Sequence, residues 1–358
     1  MNTFGHILRL TTAGESHGPA LTGILDGMPA GLKIDYDALR LEMSRRRPGQ
    51  GLGSKRREAD EVTILSGLLD NVTTGTPIAF TIANSDQHST DYDHLRHTFR
   101  PSHADFTYQA KYGIRDWRGG GRSSARETAV RVAAGALAIQ ALLELGVSIH
   151  AYTSQIGGVK LNQGFKSFSD AEIYANDARC PDAAVARRME DEIIAARKEG
   201  DTLGGIVSCV VDGLPAGLGQ PLYDKFSAML ASAMLSINAA HGFDFGMGFD
   251  GIERRGSELI DPFAVDEAGR VVTTANNSGG IQGGITNGAP VTFRVAFKPV
   301  ATMMRPIESI NQRGETVVIE PRGRHDVCVV PRAVPVVKAM AALTALDAYL
   351  MAKADRLI

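Results

Sequence analysis

Apolar residues recur at helical spacing over 124–145. Valine, alanine and leucine side chains lie three and four residues apart there, which predicts one apolar helix face. Ser124 and Glu127 have the S-x-x-E spacing of a capping box, and Gly146 predicts the helix end. Comparable patterns predict four further helices, at 35–46, 182–199, 222–238 and 333–352.

Short apolar runs alternate with these helices and predict β-strands. The runs cover 20–25, 62–65, 78–82, 147–152, 206–211, 291–297 and 316–319. The segment 26–32, Asp-Gly-Met-Pro-Ala-Gly-Leu, recurs with one change at 212–218, and each copy joins a predicted strand to a predicted helix.

This repetition predicts an α+β fold with an internal pseudo-twofold duplication. A chance recurrence of a turn sequence is the alternative. We expect a single domain over 1–358, with related halves at roughly 1–200 and 201–358.

Composition narrows the class of protein. The chain has 358 residues, with 38 Lys and Arg against 40 Asp and Glu. This balance gives no overall attraction for nucleic acid or membranes, so any anion site is local. Three scattered cysteines lack a Cys-x-x-Cys pair, no signal-peptide pattern occurs, and no uninterrupted apolar run reaches the about 18 residues of a membrane span. We therefore expect a cytoplasmic protein that binds neither nucleic acid nor membrane.

The strongest local signal is Arg-Gly-Gly-Gly-Arg-Ser-Ser-Ala-Arg-Glu at 118–127. Glycines let the backbone approach a ligand, and the helix N-terminus, arginines and hydroxyls add donors for an anion. This combination favours a phosphate site over a helix cap with solvated arginines. The glycine spacing fits neither a P-loop nor a dinucleotide-binding motif.

Two further segments have open interpretations. The basic residues at 45–47 and 55–57 form either a second wall of an anion pocket or a solvated edge. The segment 14–18 matches the G-x-S-x-G nucleophile elbow of serine hydrolases, but Pro19 and a predicted strand follow where a helix should begin. His17 within this turn is either a functional group or a structural one.

Histidine, arginine and aspartate also occur together at 100–105 and 323–326, a combination typical of acid–base chemistry beside an anion. Ordinary loop residues are the alternative for each segment alone. The histidines and aspartates between 88 and 97 lack a recognised metal-ligand pattern, so we expect no metal site.

Taken in order, these segments resemble the chorismate synthase family. The resemblance rests on residues 14–18, 45–49, 99–105, 112–128, 236–239, 279–284, 298–299, 323–326 and 332–335. It implies a β-α-β sandwich assembled as a homotetramer. The implied reaction is the anti-1,4-elimination of phosphate from 5-enolpyruvylshikimate 3-phosphate to give chorismate, which requires reduced FMN.

The resemblance also implies roles for particular residues. Substrate anions would be bound by Ser16, Arg46, Arg100 and Arg126, with Arg45 and Arg332 as further candidates. The FMN site would be lined by Arg122, Ser123, Ser124, Asn238, Ala239, Gly283, Lys298, Pro299, Val300, Ala301, Thr302 and Arg324.

The same family mechanism assigns proton transfers to three residues. Reduced flavin transiently passes an electron to the substrate, and the C6 hydrogen leaves through flavin N5. His17 would protonate the departing phosphate, His103 would donate a proton near the flavin, and Asp326 would help to deprotonate N5.

Two positions depart from the family pattern. Val327 stands where the family usually has proline, and the loop at 50–53 lacks an arginine that many relatives carry. The second departure argues against a built-in flavin reductase, so NADPH would serve only as a reductant. The alternative functions are a non-catalytic protein that binds flavin or phosphate and, less favoured, a serine hydrolase.

Overall fold

Two five-stranded sheets form the outer layers of the protein. The computed structural model describes residues 1–47, 59–85, 89–320 and 326–356, with only the backbone for 89–91. The first sheet has the order β1 (Thr3–Phe4), β2 (Arg9–Ala13), β3 (Ala20–Asp26), β7 (Ile78–Ala83) and β4 (Val62–Ile64). The second has the order β11 (Ala240–Phe245), β16 (Val291–Phe297), β10 (Gly205–Asp212), β8 (Ser148–Ile156) and β9 (Val159–Lys160). Neighbouring strands in both sheets are antiparallel.

Helices and short hairpins complete the described chain. The helices are α1 (Tyr36–Arg46), α2 (Asp105–Tyr112), α3 (Thr128–Glu144), α4 (Asp170–Ile173), α5 (Ala183–Glu199), α6 (Phe226–Leu235), α7 (Gly256–Leu259) and α8 (Val330–Ala352). The two-stranded hairpins are β5 (Leu68–Leu69) with β6 (Val72–Thr73), β12 (Phe263–Val265) with β13 (Val271–Thr273), β14 (Ile281–Gln282) with β15 (Ile285–Thr286), and β17 (Ile307–Ile310) with β18 (Thr316–Ile319).

A helical layer lies between the two sheets. The central helices α3 and α8 pack against each other, while α3 contacts β3 of the first sheet and α8 contacts β8 and β10 of the second. The two helices approach so closely that a Cβ atom on Gly135 would lie 2.3 Å from the Cβ of Ala339. The predicted α+β fold, a layered β-α-β sandwich, is confirmed.

The helix α8 combines unusual length with an apolar composition. Its most apolar window has a mean hydropathy of 1.4, which would suffice for a membrane span, but 83% of that window is buried inside the protein. Because α8 packs against β8 and β10 of the second sheet and against the helices α1, α3 and α6, we interpret it as the core helix of this fold.

The two sheets are built from the same series of elements. The first series is β2, β3, α1, β7 and α3, and the second is β8, β10, α6, β16 and α8. In each sheet the second strand of the series lies between the other two. The series meet between Glu144 and Ser148, earlier than the boundary near residue 200 expected from the sequence. The duplication itself stays a prediction.

The predicted capping box at Ser124 is wrong. Ser124 Oγ accepts a hydrogen bond from Arg126 N (3.3 Å), a 3₁₀ turn follows at Ala125–Glu127, and α3 begins only at Thr128. The Glu127 side chain instead pairs with Arg131, whose Nε lies 3.0 Å from Glu127 Oε2. Before this turn, the glycines at 119–121 all have positive φ angles, which glycine adopts without strain.

Most other elements lie close to their predicted positions. Asp35 and Asp182 cap α1 and α5 with their carboxylates, as expected for aspartates that precede helices. The helix α6 is shorter than predicted, because 222–225 lie outside it. The strands β2 and β11 and the helix α2 were not predicted, since none carries an extended apolar pattern.

Candidate active site

Two histidines lie on either side of the triple glycine that precedes α3. A Cβ atom on Gly119 would come within 2.5 Å of His17 Nε2, and one on Gly120 would come within 3.1 Å of His103 Cε1. Both glycines have left-handed φ angles, +60° and +86°. At both positions, glycine is therefore required for two reasons, its backbone conformation and the space that the imidazole occupies.

His17 lies in the loop that connects β2 and β3 and is 6% exposed. The side chain of Asn84 holds this loop, since its Nδ2 donates to Glu15 O (3.1 Å) and Gly18 O (2.8 Å). The imidazole also packs edge-to-face on Tyr92, with ring centroids 5.2 Å apart. The loop thus presents His17 in one orientation against the glycines.

The same loop excludes the serine hydrolase alternative. A nucleophile elbow joins a strand to a helix, whereas residues 14–18 join two antiparallel strands. Ser16 is 1% exposed, and its Oγ donates to Arg118 O at 3.4 Å. Arg122 further fastens the loop, since its Nη2 donates to Thr12 Oγ1 (2.6 Å) and its Nη1 to Gly14 O (3.3 Å).

Two of the predicted substrate arginines converge on one aspartate. Arg46, in the last turn of α1, and Arg126, just before α3, each donate to a different carboxylate oxygen of Asp60. All three side chains are almost fully buried. Arg126 is fixed further, because its Nε donates to Asn84 Oδ1 (2.8 Å) and its Nη2 to Ala83 O (3.2 Å). Asn84 therefore connects this arginine pair to the His17 loop.

Burial and neighbouring charges shift the pKa values of Arg46 and Asp60. Burial lowers the pKa of Arg46 to about 10, and the charges of Arg332 and Arg126 act in the same direction against Asp60. Burial alone would raise the pKa of Asp60, but the two guanidinium groups outweigh it and hold that pKa below its usual value. Arg332 pairs with Asp326 at the start of α8. Three arginines thus face two aspartates, an excess of positive charge that suits an anion.

Two guanidinium groups of this cluster each have a buried N–H donor with no acceptor among the described residues. Within the part of the chain that the structure describes, the buried Nε atoms of Arg46 and Arg332 have no hydrogen-bond partner. An unpaired buried donor is costly, and a charged one more so. A bound anion that accepted from these groups would remove that cost.

His103 belongs to a second buried group centred on Asp105. This carboxylate accepts from Arg100 Nε (2.8 Å) and Nη2 (2.9 Å), from Arg115 Nη1 (3.2 Å) and from His103 Nδ1 (3.1 Å). Burial opposes the charged form of Asp105, but these bonds hold its pKa well below its ordinary value. Arg100, expected among the substrate ligands, thus binds Asp105 beside His103, whereas Arg46 and Arg126 meet at Asp60.

The proton on His103 follows from this arrangement. Burial lowers the pKa of His103 below its ordinary value, although the bond to Asp105 partly opposes the effect. The neutral imidazole keeps its proton on Nδ1, where the ionised Asp105 accepts it. Its Nε2 then faces Gly120, 3.4 Å from where a Cβ would lie, and can accept a proton on the glycine side.

Four of the predicted cofactor residues, Ser123, Asn238, Ala239 and Lys298, form a hydrogen-bonded surface next to His103. Asn238 Nδ2 donates to Ser123 O (3.0 Å), and Lys298 N donates to Ala239 O (3.0 Å). The Lys298 ammonium in turn donates to Ser102 O at 2.9 Å. These bonds bring together three segments that are distant in the sequence, and they place them beside the glycine loop.

The surface has features that fit a flavin. Asn238 Oδ1 is buried and has no hydrogen-bond partner among the described residues, so it offers an acceptor for a ring N–H. A small cleft nearby is lined in part by Ala301, Thr302, Arg100 and Pro101. The residues present therefore offer both donors and acceptors to a ligand bound beside His103.

Other predicted cofactor residues have different positions. Ser124 caps the 3₁₀ turn before α3. Pro299 and Val300 follow Lys298, and Val300 O accepts from Thr202 Oγ1 at 2.9 Å. Gly283 lies in the turn between β14 and β15, where an added Cβ atom would meet open space. Arg324 lies outside the described residues, as do 48–49 and 55–57.

Sequence reasoning missed the acids and the amide that organise the site. Asp60, Asn84, Asp105 and Arg115 were assigned no role, although Asp105 lies within a segment recognised for its composition. Asn84 is the first polar residue after β7, which is a weak signal for a residue at a functional strand end. No pattern around Asp60 marks it. Among the described residues, no group of His, Cys, Asp or Glu could hold a metal ion.

Comparison with known proteins gives a consistent result. A family model described as chorismate synthase matches residues 8–350. The chorismate synthases of Cytophaga hutchinsonii and Phocaeicola vulgatus are 56% and 55% identical over 357 residues, with 99% of this chain and 99% of each relative covered. The crystal structure of a chorismate synthase is 31% identical and has a TM-score of 0.76, covering 97% of this chain and 93% of its own.

The sandwich fold, the buried cationic cluster and these matches define a biosynthetic enzyme, a carbon–oxygen lyase that acts on a small molecule. The chain belongs to the chorismate synthase family. The family resemblance expected from the ordered sequence segments is thereby confirmed.

Proposed function

We propose that this chain eliminates phosphate from 5-enolpyruvylshikimate 3-phosphate by anti-1,4-elimination to give chorismate, with reduced FMN as the required cofactor. The observation that carries the proposal is the pair of histidines that face neighbouring glycines of one loop, next to a buried excess of arginine. This substrate bears one phosphate and two carboxylates, and a near-neutral protein can bind it only at such a local cationic site.

Arg46 and Arg126 bind substrate anions in this proposal. Asp60 holds both guanidinium groups in place before substrate arrives, so that little side-chain entropy is lost on binding. Ser16 lies within the His17 loop and Arg126 is joined to this loop through Asn84, so we assign the phosphate to this end of the site.

His17 acts as the acid that protonates the departing phosphate. The His17 Nε2 atom faces Gly119. The His17 loop is bound to Arg126 through Asn84, so the imidazole and the guanidinium group that binds the phosphate are held together. Protonation lowers the charge that the leaving group carries away, which favours its departure.

His103 moves a proton on the other side of the glycine loop. Its lowered pKa means that the resting imidazole is neutral, with Nε2 as the acceptor. Anions bound beside it favour the charged form, after which Nε2 can donate. Asp326, which lies just before α8 and pairs with Arg332, is the carboxylate that takes up a proton.

When bound, reduced FMN supplies electron density to the allylic system that loses phosphate. Ser123, Asn238, Ala239 and Lys298, which are joined by hydrogen bonds next to His103, would hold it. We further propose that Arg122, Ser124, Gly283, Arg324 and 299–302 contribute to this site, as the family resemblance implies.

An anaerobic assay with reduced FMN tests the proposal. The enzyme should release phosphate from the enolpyruvyl substrate, whereas a non-catalytic binding protein would only change the absorbance of the flavin. His17→Ala, His103→Ala and Asp326→Asn should each lower turnover by about 100-fold, the usual contribution of a positioned acid or base. His150→Ala is the matched control, since His150 is also partly buried but lies on the second sheet, where its imidazole bonds to Ser148, Phe168 and Asp212. Undiminished turnover in any of the three variants would remove that residue from the mechanism.

We also propose that the enzyme is a cytoplasmic homotetramer and that NADPH serves only as an outside source of reducing equivalents. Three buried, unpaired cysteines suit a reducing compartment. Light scattering of the purified protein measures its assembly. An anaerobic assay of NADPH oxidation with FMN should show no reduction unless a separate reductase is added.

A further inference from the structure

One buried arginine differs from all the others. The four most buried arginines in the described chain are Arg46, Arg100, Arg126 and Arg179. The first three pair with an aspartate. Arg179 forms no ion pair within the described residues, and its buried Nη1 has no hydrogen-bond partner there.

The backbone holds Arg179 in an unfavourable conformation. Its φ angle is +57°, in the left-handed region that residues with a side chain rarely adopt. The side chain of Asn176 fixes the turn by two bonds to Cys180, of 2.7 and 3.2 Å, while Arg179 O accepts from Thr153 N at 3.0 Å. Such strain persists where the surrounding structure imposes it, often at ligand sites.

A neighbouring arginine shows what a structural role looks like. Arg45 and Arg179 both lie over the ring of Tyr174, at 4.1 and 5.2 Å from its centroid. Arg45 also pairs with Glu42 and Asp170, so its charge is neutralised within the protein. Among the described residues, Arg179 has only this cation–π contact and the charge of Asp177 to compensate it, and no ion pair.

Arg179 extends the cationic cluster of the proposed active site. Burial, with the charges of Arg332 and Arg45 added, lowers the pKa of Arg179 to about 10, although Tyr174 opposes them. Arg332 also acts on Arg46 and has its own unpaired Nε. A row of positive charge therefore runs from Arg46 through Arg332 to Arg179.

The row has two distinct ends. Arg126 marks one end, because Asn84 connects it to the His17 loop where the phosphate leaves. Arg179 marks the other end, beyond Arg332 and its partner Asp326. The substrate also has two kinds of anion, and only its carboxylates remain for the end away from His17.

We propose that Arg179 binds a carboxylate of the substrate through its unpaired Nη1, beside Arg332. The inference rests on the proposed function, since it concerns the same substrate. Arg179 is a binding residue and takes no part in proton transfer. The bound carboxylate supplies the acceptor and the negative charge that this side chain lacks in the protein alone.

The test compares Arg179→Met with Arg188→Met, a control on the exposed face of α5. Methionine keeps the apolar length of the side chain and removes the unpaired charge. Arg179→Met should raise the KM for 5-enolpyruvylshikimate 3-phosphate by about 10-fold to 100-fold and leave kcat within about 3-fold. Its thermal midpoint without ligand should be unchanged or higher, because a buried unpaired charge has been removed. Arg179→Lys should give an intermediate KM.

Inhibition separates the carboxylate from the phosphate. Chorismate carries two carboxylates and no phosphate, so its inhibition constant should rise in Arg179→Met together with KM. The inhibition constant of inorganic phosphate should stay the same. An equal change for both inhibitors overturns the carboxylate assignment, and an unchanged KM with a lower thermal midpoint makes Arg179 a structural residue. If the wild-type enzyme releases no phosphate at all, it is the proposed function that fails.

Discussion

Replacing Asp60 by asparagine tests whether one carboxylate organises the substrate arginines. Asparagine has the same shape but no charge, so it can accept from one guanidinium group and leaves the other uncompensated. Asp60, Arg46 and Arg126 are all buried, and each carboxylate oxygen serves a different arginine. Breaking a buried ion pair from one side costs about 3–5 kcal/mol in free energy of unfolding.

This cost converts to a measurable change in the thermal midpoint. At about 2.1 cal/mol/K per residue, 358 residues give an unfolding entropy of about 0.75 kcal/mol/K, so the midpoint should fall by roughly 4–7 °C. Asp37→Asn is the control, because Asp37 also pairs with an arginine but its side chain is 91% exposed. The control should change the free energy of unfolding by less than about 0.5 kcal/mol.

The pH dependence gives a second measurement of the same ion pair. The pKa of Asp60 is lower in the folded protein than in the unfolded chain, so its contribution to stability is present above about pH 4 and is lost as the pH falls through the folded pKa. The difference between wild type and Asp60→Asn should therefore be constant from about pH 5 to 8 and shrink in acid. Calorimetry over this range measures it. A change below about 1 kcal/mol at pH 7 would refute the reasoning, because the two guanidinium groups would then not depend on Asp60.

Three further outcomes follow from single sites. Gly120→Ala should destabilise the protein by about 1 kcal/mol or more, because the φ angle of Gly120 is +86°. It should also lower turnover by over about 10-fold, because the added Cβ atom would press on His103. Thermal unfolding measures the first effect and phosphate release the second. The pKa of His103, measured as its NMR titration midpoint, should lie below about 6.5. Asp105→Asn should lower this pKa further, since Asp105 raises it while Arg100 lowers it. A higher midpoint in the variant would contradict this. Asp347→Ala should lower the thermal midpoint at unchanged kcat, because this buried carboxylate accepts three backbone N–H groups of 6–8; an unchanged midpoint would show those bonds to be dispensable.

Much of the secondary structure could be predicted because its signals are local. The strands at 291–297 and 316–319 have their predicted bounds, and α1 and α5 begin after the aspartates that cap them. The start of α3 was misplaced, because the side chain of Arg126 is bound to residues far along the chain and a 3₁₀ turn results. Periodicity has no information about such a contact.

The sequence by itself determined the family, the order of the main elements and the residue types of the site, because repeats, glycine clusters and ordered motifs follow from the order of residues alone. Only the tertiary structure decided which side chains meet. Asp60 lies 14 residues from Arg46 and 66 from Arg126, and the three come together only when the helical layer packs on the first sheet. Asn84 and Arg179 acquire their positions in the same way, since the burial that perturbs a charge is a property of the whole fold and not of any segment.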